Sequence, residues 1–201
     1  NLSATPCFVV NDTFYSDGRL EASLPAGVYV GSIAGFAERH PEQAARYYGQ
    51  AAHTDHDPIA ALNTLFVQDG LVVYVPAGVT LEQPVQLINL FRSTERLMAN
   101  RRILFVVEDG ASAKLLVCDH SMGDTDFLST EVIEIFAGRD AVVDYYDLEE
   151  SSIRTRRFSS LFVEQEAGSN VLVNGITLNN GQTRNNYRAR INGEGAELTL
   201  C

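Results

Sequence analysis

The sequence predicts a mainly β fold, a β-solenoid of stacked coils with a small α/β N-terminal lead-in. Three observations predict it. From Gln68 onward, Val, Ile, Leu, Phe and Tyr alternate with polar residues, and a period of two sets every second side chain on one buried face. Glycines recur behind the apolar runs at Gly78, Gly110, Gly138, Gly168 and Gly195, spaced 32, 28, 30 and 27 residues apart. Helix signals disappear over the same stretch. A strand repeat of about 30 residues marks a stacked architecture, in which no coil can bury its inner face alone.

The lead-in is assigned to residues 1–57 and the core to 58–201. Within the lead-in, Asp17-Gly18 reads as a turn and residues 28–30 as a short strand. Pro41 near a first turn and Gly49 just past a last one bound a short helix over 41–48. Residues 55–58 form a polar break, and a second short helix follows over 59–65. The core runs are 71–75, 103–107, 114–117, 132–136, 141–145, 161–163, 170–173 and 196–200. Their inner face is expected to carry Val73, Val75, Phe105, Val107, Leu115, Val117, Ile133, Ile135, Val171 and Val173. A glycine at each corner lets the backbone turn through conformations that strain other residues. Asn-Gly at 174–175, 180–181 and 192–193, within the series Asn170, Asn174, Asn179, Asn180, Asn185, Asn186 and Asn192, reads as tight turns. A β-sandwich or a cupin-like barrel is the competing fold.

Composition narrows the function. The chain is 45% hydrophobic and 20% charged, and no apolar run approaches the ~18 residues of a membrane-spanning helix. A net charge of −11 argues against non-specific nucleic-acid binding and against an anionic membrane face. Three widely spaced cysteines, Cys7, Cys118 and Cys201, do not make a disulfide framework and fit a reducing cytoplasm. The chain opens on Asn1 and stops at Cys201 directly after an alternating run, so an excised domain, truncated at its C-terminal end, is expected.

The search for chemistry finds no catalytic constellation. His53 and His56 lie in the polar break without further ligands at zinc spacing, and read as a solvated loop. His40 stands alone, and no His-x-His pair supports a cupin metal site. Cys118 and His120, two apart on an extended chain, face one side and could share a soft metal, but a small core cysteine beside a surface histidine is the favoured reading. Asp144, Asp147, Glu149 and Glu150, with Asp124 and Asp126 nearby, read as a solvated acidic patch on a loop. Arg154, Arg156 and Arg157 read as a basic surface knot. No nucleophile elbow, phosphate-binding loop or dinucleotide fingerprint occurs.

An ordered series of motifs carries a resemblance. It begins at Asp57-Pro58-Ile59-Ala60-Ala61-Leu62-Asn63 and continues through Asp69-Gly70 and Val73-Tyr74-Val75-Pro76-Ala77-Gly78. Asn100-Arg101-Arg102, Glu108-Asp109-Gly110-Ala111, Asn174-Gly175, Arg184 and Gly193-Glu194-Gly195-Ala196 follow in order. Together they resemble the SufBD family, and Leu24-Pro25-Ala26-Gly27-Val28 resembles the SufD lead-in more than that of SufB. The resemblance implies a right-handed parallel β-helix and a non-catalytic scaffold subunit for iron–sulfur cluster assembly. The implied partners are SufB-like and SufC-like (ATPase) subunits. No catalytic, cofactor-binding or metal residue transfers to this chain, and any iron–sulfur cluster is expected only transiently, in the full complex. A homodimer along open strand edges is expected. The alternative function is a β-helix polysaccharide-active enzyme with an acidic groove.

Overall fold

The computed structural model describes residues 3–16, 20 and 23–201; the turn expected at Asp17-Gly18 lies outside them. Two sheets face each other, and the chain alternates between them, laying one strand in each per coil. The seven-stranded sheet holds β1 (Thr5–Val10), β2 (Thr13–Tyr15), β5 (Val85–Arg92), β7 (Ser112–Met122), β9 (Phe127–Ala137 being β8 of the other sheet; Val142–Glu150), β11 (Asn170–Asn179) and β13 (Glu197–Leu200). The six-stranded sheet holds β3 (Tyr29–Ser32), β4 (Leu71–Val75), β6 (Leu97–Val107), β8, β10 (Thr155–Gln165) and β12 (Gln182–Ile191). All ladders from β4 onward are parallel, which makes a β-solenoid of about four turns. The lead-in extends both sheets: β1 pairs parallel with β5, and β3 pairs antiparallel with β4.

Register stacks like side chains. Val73, Phe105, Ile135 and Val163 form one inner row, and Leu71, Ile103, Ile133 and Leu161 form the next. All ten inner-face residues read from the alternation lie in one continuous buried core. The strands β5 and β12 had no counterpart in the apolar reading. β12, Gln182-Thr183-Arg184-Asn185-Asn186-Tyr187, is too polar to announce itself, and its pairing with β10 makes it a strand.

Two local readings change. Asn174-Gly175 is interior to β11 and not a turn, because the ladder with β9 runs straight through it. At the third corner the left-handed residue is Asp140, with φ 56°, and not Gly138. Gly138 is required for space: a Cβ there would stand 2.6 Å from the Asp109 backbone nitrogen. The left-handed positions are therefore Gly78, Gly110, Asp140, Gly168 and Gly195.

Three helices follow β3: α1 (Ile33–Arg39), α2 (Pro41–Tyr47) and α3 (Pro58–Phe66). Ser32 caps α1 through the Gly35 amide, and Asp57 caps α3 through the amides of Ile59 and Ala60. α3 crosses the outer face of the six-stranded sheet, where Ala60 packs on Val132 and Phe162. The Asn63 amide donates to the carbonyls of Arg101 and Thr130. Glu134 rivets the preceding loop: its carboxylate accepts the N–H groups of Gly49, Ala51 and Ala52 at 3.0 Å each and meets Arg102 Nη2 at 2.7 Å. The motif residues Asp57 and Asn63 thus fasten α3 and its N-cap to the solenoid.

Candidate functional site

The inner face is not apolar throughout. Following the same alternation toward one side of the coils, the inward rows turn polar. Arg101 precedes Ile103 and Phe105, Glu131 precedes Ile133 and Ile135, and Arg157 precedes Leu161 by two inward positions. On the facing sheet Asn89, Asp119 and Glu149 stand in register, with Asp147 one inward position away. These side chains meet between the sheets and form a charged cluster whose members are buried, apart from a partly exposed Asp147.

Arg157 is its centre. Its guanidinium lies 2.5 Å from Glu131, 2.6 Å from Asp147, 3.4 Å from Asp119 and 3.7 Å from Glu149. Arg101 Nη1 donates to Asp119 Oδ1 at 2.9 Å, and its guanidinium carbon lies 3.7 Å over the Phe91 ring. Asn89 donates to the same Asp119 oxygen at 2.7 Å. Glu149 accepts from the hydroxyls of Thr177 and Thr183 and from the Asn180 amide, which tie the fourth coil to the third.

Four carboxylates face two guanidiniums, a formal excess of two negative charges in a buried space. Burial raises the carboxyls of Glu131, Asp147 and Glu149 above their ordinary values, against the attraction of Arg157. Burial pushes Asp119 the same way, but Arg101, Arg157 and Asn89 together hold it below. Burial opposes the charge on Arg157, yet Asp147, Glu131, Asp119 and Glu149 hold its pKa well above the ordinary value. Two guanidiniums face four carboxylates, so burial disfavours the charged form of the acids that Arg101 and Arg157 do not fully offset. Glu131 Oε1, Asp147 Oδ1 and the Tyr145 hydroxyl have no hydrogen-bond partner among the described residues, and a buried oxygen of this kind is eased by a proton or a water.

The sequence-predicted residues fall into three sets. Asp147 and Glu149 sit on strand β9 and point inward, so the solvated loop expected there is corrected; Asp144 and Glu150 on the same strand point outward, to Lys114 and His120. Arg157 is buried at the cluster centre and not on a basic surface knot, whereas Arg154 is exposed and pairs with Asp124 and Asp126, and Arg156 is exposed. Arg101, Glu131 and Asp119 were missed. The signal was the alternation itself, since each shares parity with the apolar inner residues that follow or precede it.

Cys118 and His120 do share the outer face of β7. The Cys118 thiol, raised by burial, lies 3.6 Å from the Gln86 amide, and His120 Nδ1 lies 3.6 Å from Glu150 Oε2. Among the described residues no group of three His, Cys, Asp or Glu side chains is placed to hold a metal ion. The loop of His53 and His56 is tied to β12: Arg190 Nη2 lies 3.2 Å from His53 Nε2, and Arg188 donates to the His56 carbonyl at 2.9 Å. His40 joins α1 to α2 and packs its ring against Phe36. The acidic-groove reading is not supported, because Asp147 and Glu149 turn inward onto Arg157 rather than lining an open cleft.

Comparison with known proteins bears on the whole chain. A family model described as the SufBD protein N-terminal region matches residues 1–87, and one described as the SUF system FeS cluster assembly, SufBD core domain, matches residues 90–201. An iron–sulfur cluster assembly SufBD family protein of Synechocystis sp. is 33% identical over 121 residues, covering 59% of this chain and 25% of that protein. Protein ABCI7, chloroplastic, of Arabidopsis thaliana is 26% identical over 171 residues, covering 80% of this chain and 35% of that protein. The chain spans a quarter to about a third of the length of these two relatives.

Proposed function

The chain belongs to the SufBD family of the SUF iron–sulfur cluster assembly system, and from that premise we propose that it is part of a non-catalytic scaffold subunit of a SufBCD-type complex. In this reading its partners are SufB-like and SufC-like (ATPase) subunits, it is the SufD-like member, and it works in the cytoplasm. A cluster is transient cargo of the full complex and is not held by this segment. No helix of the described residues is long and apolar enough to cross a membrane, and the charge of −11 disfavours nucleic acid.

The observation that carries the reading is the placement of the thiols. Cys7 belongs to the inner core, in the row of Leu87 and Val117, while Cys118 faces outward from the same sheet in the row of Phe8 and Ile88. Cys201 follows β13, at the other end of that sheet from β1. An iron–sulfur cluster usually draws about four thiolates to one point, and these three are spread over two faces and the length of the solenoid. The buried thiol of Cys7 is also pushed up to about 12, far from the thiolate that ligation needs.

The test has two arms. The full-length protein is co-expressed with candidate SufB-like and SufC-like subunits and should co-purify with both. This segment alone, reconstituted anaerobically with iron and sulfide and then desalted, should show no stoichiometric cluster absorbance. Failure to co-purify sinks the scaffold reading; cluster absorbance lost on Cys118→Ala shows that the segment is itself a cluster site.

A further inference from the structure

The outer face of the six-stranded sheet is covered only in part. α3 lies over the row Arg102, Val132, Ser160 and Asn186. Four residues nearer the strand starts, the row Met98, Leu128, Arg156 and Gln182 stands on the same outer face. In the row between them Thr130 is buried and bonded to Asn63 of α3, so the cover of α3 ends there and the sheet beyond it, at Met98 and Arg156, is exposed.

That strip has a definite chemistry. Met98 is 37% exposed, and Leu128 and Phe158 are half-buried, which leaves an apolar ridge. A groove of about 570 Å³ runs past Met98, Leu128 and Arg156. Its carboxylate, Asp126, is already occupied by Arg96 at 3.2 Å and Arg154 at 3.5 Å. Arg156 and Arg184 are diagonal neighbours on this face, since Arg156 pairs in register with Gln182. Neither has a carboxylate partner among the described residues, and Arg184 donates only to the Asn186 side chain, at 3.2 Å. Two exposed guanidiniums side by side repel each other, and a carboxylate supplied from outside relieves both. In a chain with 26 acidic against 15 basic residues, such a pair is a local reversal of sign.

We infer that this strip docks an acidic amphipathic helix of another protein, apolar residues on Met98, Leu128 and Phe158 and carboxylates on Arg156 and Arg184. The helix would lie beside α3 and repeat what α3 does, covering one more row of the same sheet. Helix-on-sheet packing of this kind takes its affinity from the apolar ridge and its orientation from the flanking charges. The inference goes beyond the scaffold reading, since the strip and its charges are present whatever complex the protein joins.

The experiment uses the full-length protein in its host cells, with a benzophenone side chain introduced at Leu128 and, as a control, at Val142 on the outer face of the other sheet. After irradiation the cross-linked peptides are sequenced by mass spectrometry. The expected product from position 128 is a net-negative segment of a different polypeptide, with apolar residues at spacings of three and four. Reversal of charge in Arg156→Glu/Arg184→Glu should cut its yield about tenfold or more, and Arg156→Lys/Arg184→Lys should retain most of it, with circular dichroism unchanged in both. A product from this chain's own sequence or a second copy, a basic or non-amphipathic product, no product beyond that at Val142, or a yield indifferent to charge reversal overturns the inference.

Discussion

Arg157 Nη2 lies 2.5 Å from Glu131 Oε2, a guanidinium and a carboxylate joined across adjacent strands in the interior of the solenoid. The same nitrogen meets Asp147 Oδ2 at 2.6 Å, so one arginine bridges β8 to β9 of the facing sheet. In a stacked fold most contacts run between neighbouring coils; this one also clamps the two sheets together.

Removing that clamp should be costly. Arg157→Leu leaves three buried carboxylates and the partly exposed Asp147 with only Arg101 to balance them, and loss of one partner from a buried ion pair typically costs about 3–5 kcal/mol. Urea unfolding followed by circular dichroism measures it. A loss below about 1 kcal/mol, the value of a surface pair, would mean that water reaches the cluster.

The cluster also sets a pH dependence. Burial holds Glu131 and Asp147 above their ordinary values of 4.5 and 3.8, so the folded chain binds more protons there than the unfolded chain. Their contribution is fully present below the ordinary values and is lost as pH rises through the raised ones. Asp119, held below 3.8, acts oppositely: its contribution is present above 3.8 and lost as pH falls through the lowered value. Glu131→Gln should therefore gain stability relative to the wild type as pH rises above the ordinary carboxylate range. Parallel stability curves for the two proteins would refute this.

Glu134→Ala should loosen the lead-in without melting the inner core. It frees the N–H groups of Gly49, Ala51 and Ala52 and leaves Arg102 without its carboxylate. Unsatisfied buried donors cost about 1–3 kcal/mol each when water cannot reach them. Hydrogen exchange should accelerate at Gly49, Ala51 and Ala52, while Phe105 and Ile135 stay protected.

Two corner glycines should respond differently. Gly110 has φ 66° and nothing near its absent Cβ, so Gly110→Ala costs only the left-handed strain, about 1–2 kcal/mol. Gly138→Ala drives a methyl against the Asp109 backbone nitrogen and must shift a corner. Thermal unfolding should rank Gly138→Ala as the more damaging; the reverse order would contradict the close approach.

Much of this was legible in the residues. Alternation placed Val73, Phe105, Ile135 and Val171 on the inner face, since a strand must turn every second side chain the same way. It carried the polar members too: the parity that buries Val143 and Tyr145 also turns Asp147 and Glu149 inward. They read as a solvated patch because carboxylates are rarely buried without a partner, and that partner, Arg157, belongs to a different strand.

The sequence by itself determined the strand alternation, the corner spacing, the short helices over 41–48 and 59–65 and, through ordered motifs, the family resemblance. These depend on local backbone preference and on patterns read along one chain. Only the tertiary structure decided that β12 is a strand, that Asp140 and not Gly138 takes the left-handed corner, and that Arg101, Asp119, Glu131, Asp147, Glu149 and Arg157 meet. Each depends on which coil stacks on which, and in register, so residues about 10 to 38 positions apart are brought within hydrogen-bond reach by pairing that no local pattern specifies.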